Sequence, residues 1–282
     1  TFTFFLFSAW FYLLERARDG DWRHTWLIPV SGLLWANVHG GFLAGLGLIA
    51  LFTAGQWLQR GNTRRFIALG LGTALASLIN PYGLKYWSYL LDATTMSRTS
   101  ITEWRALSLF GLEPAFLGFK ILLVVTGVAL SHKAFKKELP DFGTLLALAV
   151  TAALGLRVIR HTTFFVIASA PFVWAWMVNV WDRWSSAPGG AHILKERATP
   201  LVQASYYGLS RGLLLVWTVL TLSSTPLRIV VSGLYPIRAV DFVAQNQLSG
   251  NLLIPFNFGA YAIWRLYPEC RVAMDGRYET VY

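Results

Sequence analysis

The chain has 282 residues, of which 55% are hydrophobic and 13% are charged, and its mean hydropathy is +0.48. Because soluble domains carry about a quarter charged residues, this composition excludes an ordinary soluble domain and predicts an integral membrane protein surrounded by lipid. The net charge of +10 does not indicate a nucleic-acid partner, since basic loops orient membrane helices at an anionic cytoplasmic leaflet.

Apolar segments with the length of membrane helices recur over the first 231 residues. A full span needs about 20 apolar residues, although a shorter helix suffices where neighbours shield it. The sequence opens at Thr1 inside an apolar run without a basic leader, so we interpret residues 1–14 as the end of a helix in a longer protein and not as a signal peptide. This pattern predicts an all-α polytopic membrane protein with about eight transmembrane helices. The candidate spans are 1–14, 25–38, 40–58, 66–80, 115–131, 142–156, 162–180 and 208–231.

A polar turn interrupts the second apolar region. Asn37 and His39 stand in the sequence WANVHGGF, and both are costly in hydrocarbon unless they face protein, water or a ligand. The two glycines that follow allow a sharp reversal of the chain. The region 26–58 is therefore either one bent helix or two helices joined at residues 39–41.

Basic residues decide between these two alternatives. With two helices, and eight spans in total, four basic clusters fall on one side of the membrane, which the positive-inside rule makes cytoplasmic. A single bent helix would place the first two clusters on opposite sides, so we predict two helices in a multi-pass protein of the inner (cytoplasmic) membrane. The clusters are Arg16, Arg18 and Arg23; Arg60, Arg64 and Arg65; Lys133, Lys136 and Lys137; and Arg183, Lys195, Arg197 and Arg211.

The C-terminal region has a different pattern. Helical spacing over 237–247 and 261–266 alternates with strand-like segments at 251–256 and 271–274. This predicts the start of a small extracytoplasmic α/β domain, so the chain divides into a helical bundle over 1–231 and an α/β segment over 232–282. The single cysteine, Cys270, excludes an intrachain disulfide and a cysteine-based metal site.

Uncharged polar residues at the predicted extracytoplasmic face form the first part of a candidate binding site. Asn37 and His39 either bind a polar or anionic substrate group or satisfy backbone groups of their own turn. Asn80 and Tyr82 flank Pro81, which lacks an N–H group and ends a helix. These two residues either line the mouth of a cavity or form a simple helix-ending turn.

Charged residues at the same predicted face suggest a chemistry. Glu103 stands beside Trp104, and a carboxylate near an apolar wall can act as an acid or a base; the alternative is a solvated salt bridge in a loop. Arg157, Arg160 and His161 place three cationic groups at an extracytoplasmic helix end, against the positive-inside tendency. Because the planar arginine fork suits phosphate oxygens, we predict a lipid phosphate as their target.

A last motif follows the second predicted strand. Asp275 and Arg277 belong to the sequence DGRY, in which Asp–Gly is a turn signal. These residues form either a plain turn or, if the tail folds back over the bundle, a further part of the site.

Taken in order, these motifs resemble the GT-C superfamily of bacterial membrane glycosyltransferases. The order is LWANVHGGF, NPYG, Glu103–Trp104, Arg160–His161 before a phenylalanine-rich helix, and DGRY. The chain is most similar to the branch near the polyprenyl-phosphate-mannose protein mannosyltransferases and the RgtA/B/C/D-like domain. The resemblance implies a GT-C helical fold. It also implies transfer of a sugar from a polyprenyl phosphate or diphosphate carrier to a glycan or protein acceptor outside the cytoplasm.

The resemblance also implies roles for the candidate residues. A carboxylate would deprotonate the acceptor hydroxyl, with Glu103 as the candidate, while Arg157, Arg160 and His161 would stabilise the leaving phosphate. The usual catalytic carboxylate of the superfamily lies in the first extracytoplasmic loop, which we expect upstream of Thr1. Some members use a divalent metal, Mg²⁺ or Mn²⁺, but the sequence shows no ligand cluster and we assign no metal ligands.

A non-catalytic membrane protein is the alternative from a different class. A carrier-lipid or polysaccharide transporter, or a scaffold in an envelope assembly, would have the same polar cavity without needing an acidic loop. A channel is disfavoured, because none of the candidate spans carries a regular stripe of polar residues.

Overall fold

Helices make up most of the part of the chain that the structure describes. The computed structural model describes residues 2–95, 102–111, 113–186 and 235–273, and the chain separates into two units, 1–192 and 193–282. The helices described in the first unit are α1 (Phe2–Arg18), α2 (Leu27–Val38), α3 (Phe42–Leu58), α4 (Thr63–Ala76), α5 (Leu84–Thr95), α6 (Pro114–Phe135), α7 (Phe142–Arg157) and α8 (Thr162–Ser186). Short 3₁₀ turns cover Thr102–Trp104 and Ile159–His161.

The polar turn separates two helices, as predicted. His39 has an extended backbone and ends α2. Its Nδ1 atom accepts the N–H of Gly41 at 2.8 Å, and α3 begins at Phe42. Asn37 was expected in the turn itself but lies in the last turn of α2.

One end of the first unit, which we call the His39 end, gathers the start of α1 and the ends of α2 and α4. Thr3 Oγ1, on α1, lies 3.2 Å from His39 Nδ1. Asn37 Nδ2 donates to the carbonyl of Ile79, just beyond α4, at 2.8 Å. The predicted polar turn and the predicted NPYG turn therefore lie at the same end of the bundle.

The opposite end, which we call the Arg18 end, gathers the basic clusters. Arg18 Nη1 lies 2.5 Å from Asp141 Oδ2, which joins the end of α1 to the start of α7. The guanidinium of Arg65, on α4, lies 5.5 Å from the centre of the Trp22 ring in the α1–α2 loop. The basic residues that the structure describes at or near this end are Arg16, Arg18, Arg23, Arg60, Arg64, Arg65, Lys133, Lys136, Lys137 and Arg183.

Glycines allow close packing in the interior of the bundle. The buried rings of Trp10 and Trp35 meet edge to face, with centroids 5.1 Å apart. A Cβ added at Gly45 would lie 2.6 Å from the Trp10 ring and 2.8 Å from the Trp35 ring. A Cβ at Gly55 on α3 would lie 2.2 Å from the backbone nitrogen of Gly143 on α7. Both sites need glycine for close approach, and the second brings two helix backbones together.

The outer surface of the first unit carries apolar stripes. On α6, Leu117, Ile121, Val124 and Val128 are about half exposed or more and recur at the spacing of one helix face. A similar stripe follows α4 through Ile67, Leu71 and Leu75 and reaches Ile79. Such long exposed apolar stripes are not typical of a monomeric soluble protein.

Two segments among the described residues are long and apolar enough to cross a membrane, Pro114–Phe135 and Ile159–Trp184. Shorter apolar helices are Leu27–Val38, Phe42–Leu58 and Phe142–Arg157. The predicted span 208–231 lies outside the described residues. A mostly helical chain is therefore confirmed, whereas the arrangement of eight spans stays a prediction.

The second unit contains a β–α–β motif. Helix α9 (Ile237–Gln245) precedes strand β1 (Gly250–Leu252), helix α10 (Phe256–Leu266) and strand β2 (Cys270–Val272). The strands pair in parallel, with Gly250 opposite Cys270, and a small core includes Val240, Tyr261, Leu266 and Cys270. The predicted order of helix, strand, helix and strand is confirmed. The strands are shorter than expected, and α10 begins at Phe256 rather than near Tyr261.

Candidate functional site

An ion pair at the His39 end joins two predicted site residues that are distant in sequence. Arg160 Nη1 lies 2.6 Å from Glu103 Oε1, and the side chains are 42% and 53% exposed. The Arg160 guanidinium also lies 5.7 Å from the centre of the Trp104 ring, within the range of cation–π attraction. The His161 ring meets Trp104 edge to face at 5.9 Å. Four residues predicted from two separate motifs therefore form one cluster, which we call the Glu103–Arg160 cluster.

Backbone hydrogen bonds explain why the two motifs meet. Helix α7 ends at Arg157, and the extended Val158 leaves the backbone free to pair outside the helix. The N–H of Ile159 donates to the carbonyl of Arg105 at 2.9 Å, and the N–H of Leu107 donates to the carbonyl of Leu156 at 2.9 Å. These two bonds set the 3₁₀ turn before Arg105 beside the 3₁₀ turn after Val158.

The two backbone segments that meet at the cluster carry an excess of positive charge. Arg105 and Arg157 are both exposed and belong to these paired segments. Neither makes an ion pair with any residue that the structure describes. Over residues 103–107 and 156–161 the formal charge is +2, from Arg105, Arg157 and Arg160 against Glu103. Such a surface attracts anions.

His161 has one unsatisfied atom. Its Nδ1 is buried and has no hydrogen-bond partner within the described structure. The ring lies 5.9 Å from Phe164, and the Phe164 ring lies 5.4 Å from Phe4 on α1. Because Phe4 follows Thr3, the partner of His39, these ring contacts place the Glu103–Arg160 cluster at the same end of the bundle as His39.

A second polar group surrounds His39. Trp35 Nε1 donates to Thr3 Oγ1 at 3.3 Å, and Thr3 Oγ1 lies 3.2 Å from His39 Nδ1. Since Nδ1 already accepts the N–H of Gly41, this atom is an acceptor, and in the neutral ring Nε2 carries the proton. The turn and α1 therefore fix the tautomer of His39.

The two asparagines at this end bond mainly to backbone. Asn37 Nδ2 donates to the carbonyls of Leu33 and Ile79, each at 2.8 Å. Asn80 Nδ2 donates to the carbonyl of Ser77 at 2.8 Å, and its Oδ1 accepts the N–H of Tyr82 at 2.7 Å. These bonds support the structural alternative for both residues, since they close the ends of α2 and α4.

An aromatic row on α5 lies beside the turn. Tyr86 stacks with Phe42 at 5.9 Å and with Tyr89 at 6.3 Å, and Tyr82 lies 6.5 Å from Tyr86. Tyr82 is 70% exposed, so this row reaches the surface.

Sequence reasoning did not select three of the residues found at the His39 end. Arg105 directly follows Trp104 in the sequence but was assigned no role, because its position opposite the end of α7 depends on backbone pairing. Thr3 was hidden in an apolar run. Tyr86 carried a usable signal, since its spacing from Tyr82 and Tyr89 places all three on one helix face.

A matched ion pair lies at the Arg18 end. Arg183 Nη2 contacts Glu138 Oε1 at 2.9 Å, and the side chains are 55% and 44% exposed. The hydrogen bond from Arg183 holds the pKa of the Glu138 carboxyl below its usual range. This pair has the same residue types and similar exposure as Glu103–Arg160, so it serves as a control for experiments on the cluster.

A divalent metal stays a prediction that the resemblance suggests. In the described parts of the chain, His, Cys, Asp and Glu side chains do not form a group of three that could hold a metal ion. Glu103 is paired with an arginine. Asp275 and Arg277 lie outside the described residues, and their part in the site stays a prediction.

No known protein-family model, curated protein or solved structure matches this chain. Function is therefore inferred from the geometry of the His39 end and from the sequence motifs found there.

Proposed function

We propose that this chain is a multi-pass membrane protein that transfers a sugar from a polyprenyl phosphate or diphosphate carrier. The transfer takes place at the His39 end, which faces the extracytoplasmic side of the inner membrane, and the acceptor is a glycan or a protein. The proposal includes the GT-C fold that the motifs suggest, with eight spans.

The exposed apolar stripes support a position in a membrane. Side chains such as Leu71 on α4 and Val124 on α6 are exposed to more than half of their area, and a bilayer would cover them. The described basic residues of the predicted cytoplasmic clusters lie at or near the Arg18 end, which the positive-inside rule assigns to the cytoplasm. The Glu103–Arg160 cluster then lies at the opposite surface.

The Glu103–Arg160 cluster is the observation that carries the proposal. It places a carboxylate 2.6 Å from a guanidinium, and Arg105 and Arg157 lie in the backbone segments that meet beside it. Arginine forks bind phosphate oxygens through paired charge-assisted hydrogen bonds. A site at the lipid surface with excess arginine therefore suits the phosphate of a lipid carrier.

The reaction that we propose needs one base and one anion-stabilising group. Glu103 accepts the proton of the acceptor hydroxyl, and the acceptor oxygen bonds to the anomeric carbon with inversion. The bond between that carbon and the carrier phosphate oxygen breaks, and its electron pair stays on the phosphate. Arg160 stabilises the charge that develops on this leaving group.

A carrier-lipid binding protein without catalysis is the second candidate. The observation that favours it is the ion pair itself, because the Glu103 oxygen that contacts Arg160 is not free to approach an acceptor hydroxyl. Such a protein would bind the same phosphate and leave the sugar in place.

A transfer assay separates the two candidates. Membranes containing the full-length protein are supplied with a radiolabelled polyprenyl-phosphate sugar, and transferred and released sugar are counted. The proposal expects wild-type turnover, with a loss of about tenfold or more in both Arg160→Ala and Glu103→Gln, since one hydrogen bond to a charged group contributes about 1.5–3 kcal/mol. Arg183→Ala, from the matched pair, is expected to retain activity. Absence of turnover from every carrier, with carrier binding retained, would favour the non-catalytic protein.

A further inference from the structure

The bond between Arg160 and Glu103 raises a problem that the proposed reaction has to solve. The contact is 2.6 Å long, so Glu103 occupies a guanidinium N–H that a phosphate oxygen would use. The Glu103 oxygen that accepts this hydrogen bond is also not free to approach the hydroxyl of an acceptor. Either the phosphate uses the remaining N–H groups of Arg160 beside a carboxylate that repels it, or the ion pair opens when the phosphate arrives.

The surroundings of the pair favour opening. Both side chains are about half exposed, and exposed ion pairs are weak because water and salt screen them. A carrier diphosphate carries two negative charges and four non-bridging oxygens, so it is a stronger partner for several guanidinium groups than a carboxylate is. A monophosphate carrier with its sugar attached is a diester with one negative charge, so its advantage over Glu103 depends on the additional arginines. Arg105 and Arg157 lie in the neighbouring segments without ion-pair partners among the described residues, and they add attraction for a phosphate but not for a neutral ligand.

Arg160 also has contacts that do not depend on Glu103. Its guanidinium lies 5.7 Å from the centre of the Trp104 ring. Its backbone belongs to the turn that the Ile159–Arg105 hydrogen bond anchors. When Glu103 leaves, these two contacts keep the guanidinium at the site.

We propose that the phosphate ester of the carrier lipid replaces Glu103 on Arg160, and that this exchange releases the carboxylate to act as the base. The inference rests on the proposed function for its catalytic consequence, whereas the exchange itself concerns binding alone. It makes proton removal conditional on a bound donor. If a water molecule or an acceptor enters the site before the donor, Glu103 is still in its ion pair with Arg160.

The exchange predicts an unusual direction for one substitution. Glu103→Gln removes the competitor for Arg160, so the variant should bind the carrier phosphate more tightly than the wild type while it transfers sugar more slowly. The upper part of the range of about 0.2–1 kcal/mol for an exposed ion pair corresponds to a gain in affinity of about twofold to fivefold. If Glu103 instead contacted the carrier directly, the same substitution would weaken binding.

The test is a binding measurement that needs no turnover. The full-length protein in lipid nanodiscs is titrated with polyprenyl monophosphate, which carries no sugar, and the dissociation constant is measured. Glu103→Gln should bind about twofold to fivefold more tightly, and Glu103→Asp, whose shorter carboxylate reaches Arg160 less well, should change in the same direction by less. Arg160→Ala should bind at least about tenfold more weakly. Glu138→Gln, from the matched pair at the Arg18 end, should leave the dissociation constant unchanged.

Competition experiments distinguish the sources of phosphate. Inorganic phosphate and nanodiscs enriched in phosphatidylglycerol are each offered against polyprenyl monophosphate. If neither competitor displaces polyprenyl monophosphate, the result supports the carrier lipid as the occupant of the site. Equal displacement by phosphatidylglycerol overturns the carrier and assigns the site to ordinary anionic lipid.

Failure of the exchange and failure of the proposed function give different results. Weaker or unchanged carrier binding in both Glu103 variants overturns the exchange, even if the wild type transfers sugar. Tighter binding in Glu103→Gln without sugar transfer by the wild type supports the exchange and overturns the transferase.

Discussion

The guanidinium of Arg160 contacts a carboxylate and an aromatic ring at the same time. It lies 2.6 Å from Glu103 and 5.7 Å from the centre of the Trp104 ring. A lysine has the same charge but lacks the planar fork and stacks less well on an aromatic face. At this position the shape of the cation is therefore as important as its charge.

A conservative substitution tests that conclusion. Arg160→Lys keeps the positive charge, yet we expect the single-turnover rate of sugar transfer to fall about tenfold or more, because one charge-assisted hydrogen bond contributes about 1.5–3 kcal/mol. Rapid mixing of the full-length protein with labelled donor measures this rate. Arg183→Lys should leave it unchanged. A rate for Arg160→Lys equal to that of the wild type would mean that Arg160 contributes only its charge.

At this scale the sequence predicted the identity of the cluster residues better than their contacts. Glu103 and Arg160 were both selected, but their pairing across 57 residues depends on two backbone hydrogen bonds that side-chain patterns do not reveal. Asn37 and Asn80 looked similar to these residues in the sequence. In the structure they bond to the backbone at helix ends, because an amide side chain near a terminus finds carbonyl and N–H groups close by.

At the scale of helices and strands, apolar runs predicted which helices are present better than they predicted where those helices begin and end. The runs at 115–131 and 142–156 correspond closely to α6 and α7. The run at 66–80 corresponds to α4, which begins earlier, at Thr63, and ends at Ala76. The difference arises because hydrophobicity continues past the last regular turn, through Ile79, while Pro81 already disfavours helical backbone before it.

The close contact between α3 and α7 could not be predicted from the apolar pattern of the sequence. The glycine at this contact can be tested by substitution. Gly55→Ala would place a Cβ 2.2 Å from the backbone nitrogen of Gly143, and backbone cannot rotate away as a side chain does. We expect a loss of about 1–3 kcal/mol, in the range of overpacked cores, seen as a lower unfolding temperature in detergent.

Gly47 on the same helix is the matched control for this prediction. A Cβ at Gly47 would meet no atom within 4 Å. Gly47→Ala should therefore keep or raise the unfolding temperature, since alanine favours helix by about 1 kcal/mol over glycine. Equal unfolding temperatures for the two alanine variants would show that the helices separate easily at Gly55.

At the scale of the whole molecule, the positions of the basic clusters in the sequence predicted how the helices of the first unit are arranged. Clusters as distant in sequence as Arg18 and Lys136 lie at or near the Arg18 end, and His39 and Arg160 lie at the opposite end. The sequence made this accessible because the described reversals at the Arg18 end carry the basic clusters, although the reversal between α7 and α8 at the His39 end is basic as well. The sequence could not show how far each helix extends across the membrane, because α2 and α4 are only 12 and 14 residues long.

Labelling from the two sides of the membrane tests this arrangement. In a Cys270→Ser background, Tyr82→Cys places an exposed thiol at the His39 end, and Asn62→Cys places one at the Arg18 end. In intact cells whose outer membrane is permeable to it, a membrane-impermeant maleimide should label only the first thiol, and it should label both after the inner membrane is opened. Labelling of both thiols in intact cells would rule out the proposed orientation.

The ion pair between Arg18 and Asp141 has a consequence for how the protein is made. The two residues are 123 positions apart, and a ribosome adds about 5–20 residues per second. On that basis α1 exists for roughly 6–25 seconds before Asp141 has been synthesised. During this interval Arg18 can pair with Glu15 and Asp19 in its own segment, but its link to α7 is still missing. The Arg18 end can close only when α7 arrives, so assembly of the bundle depends on its seventh helix.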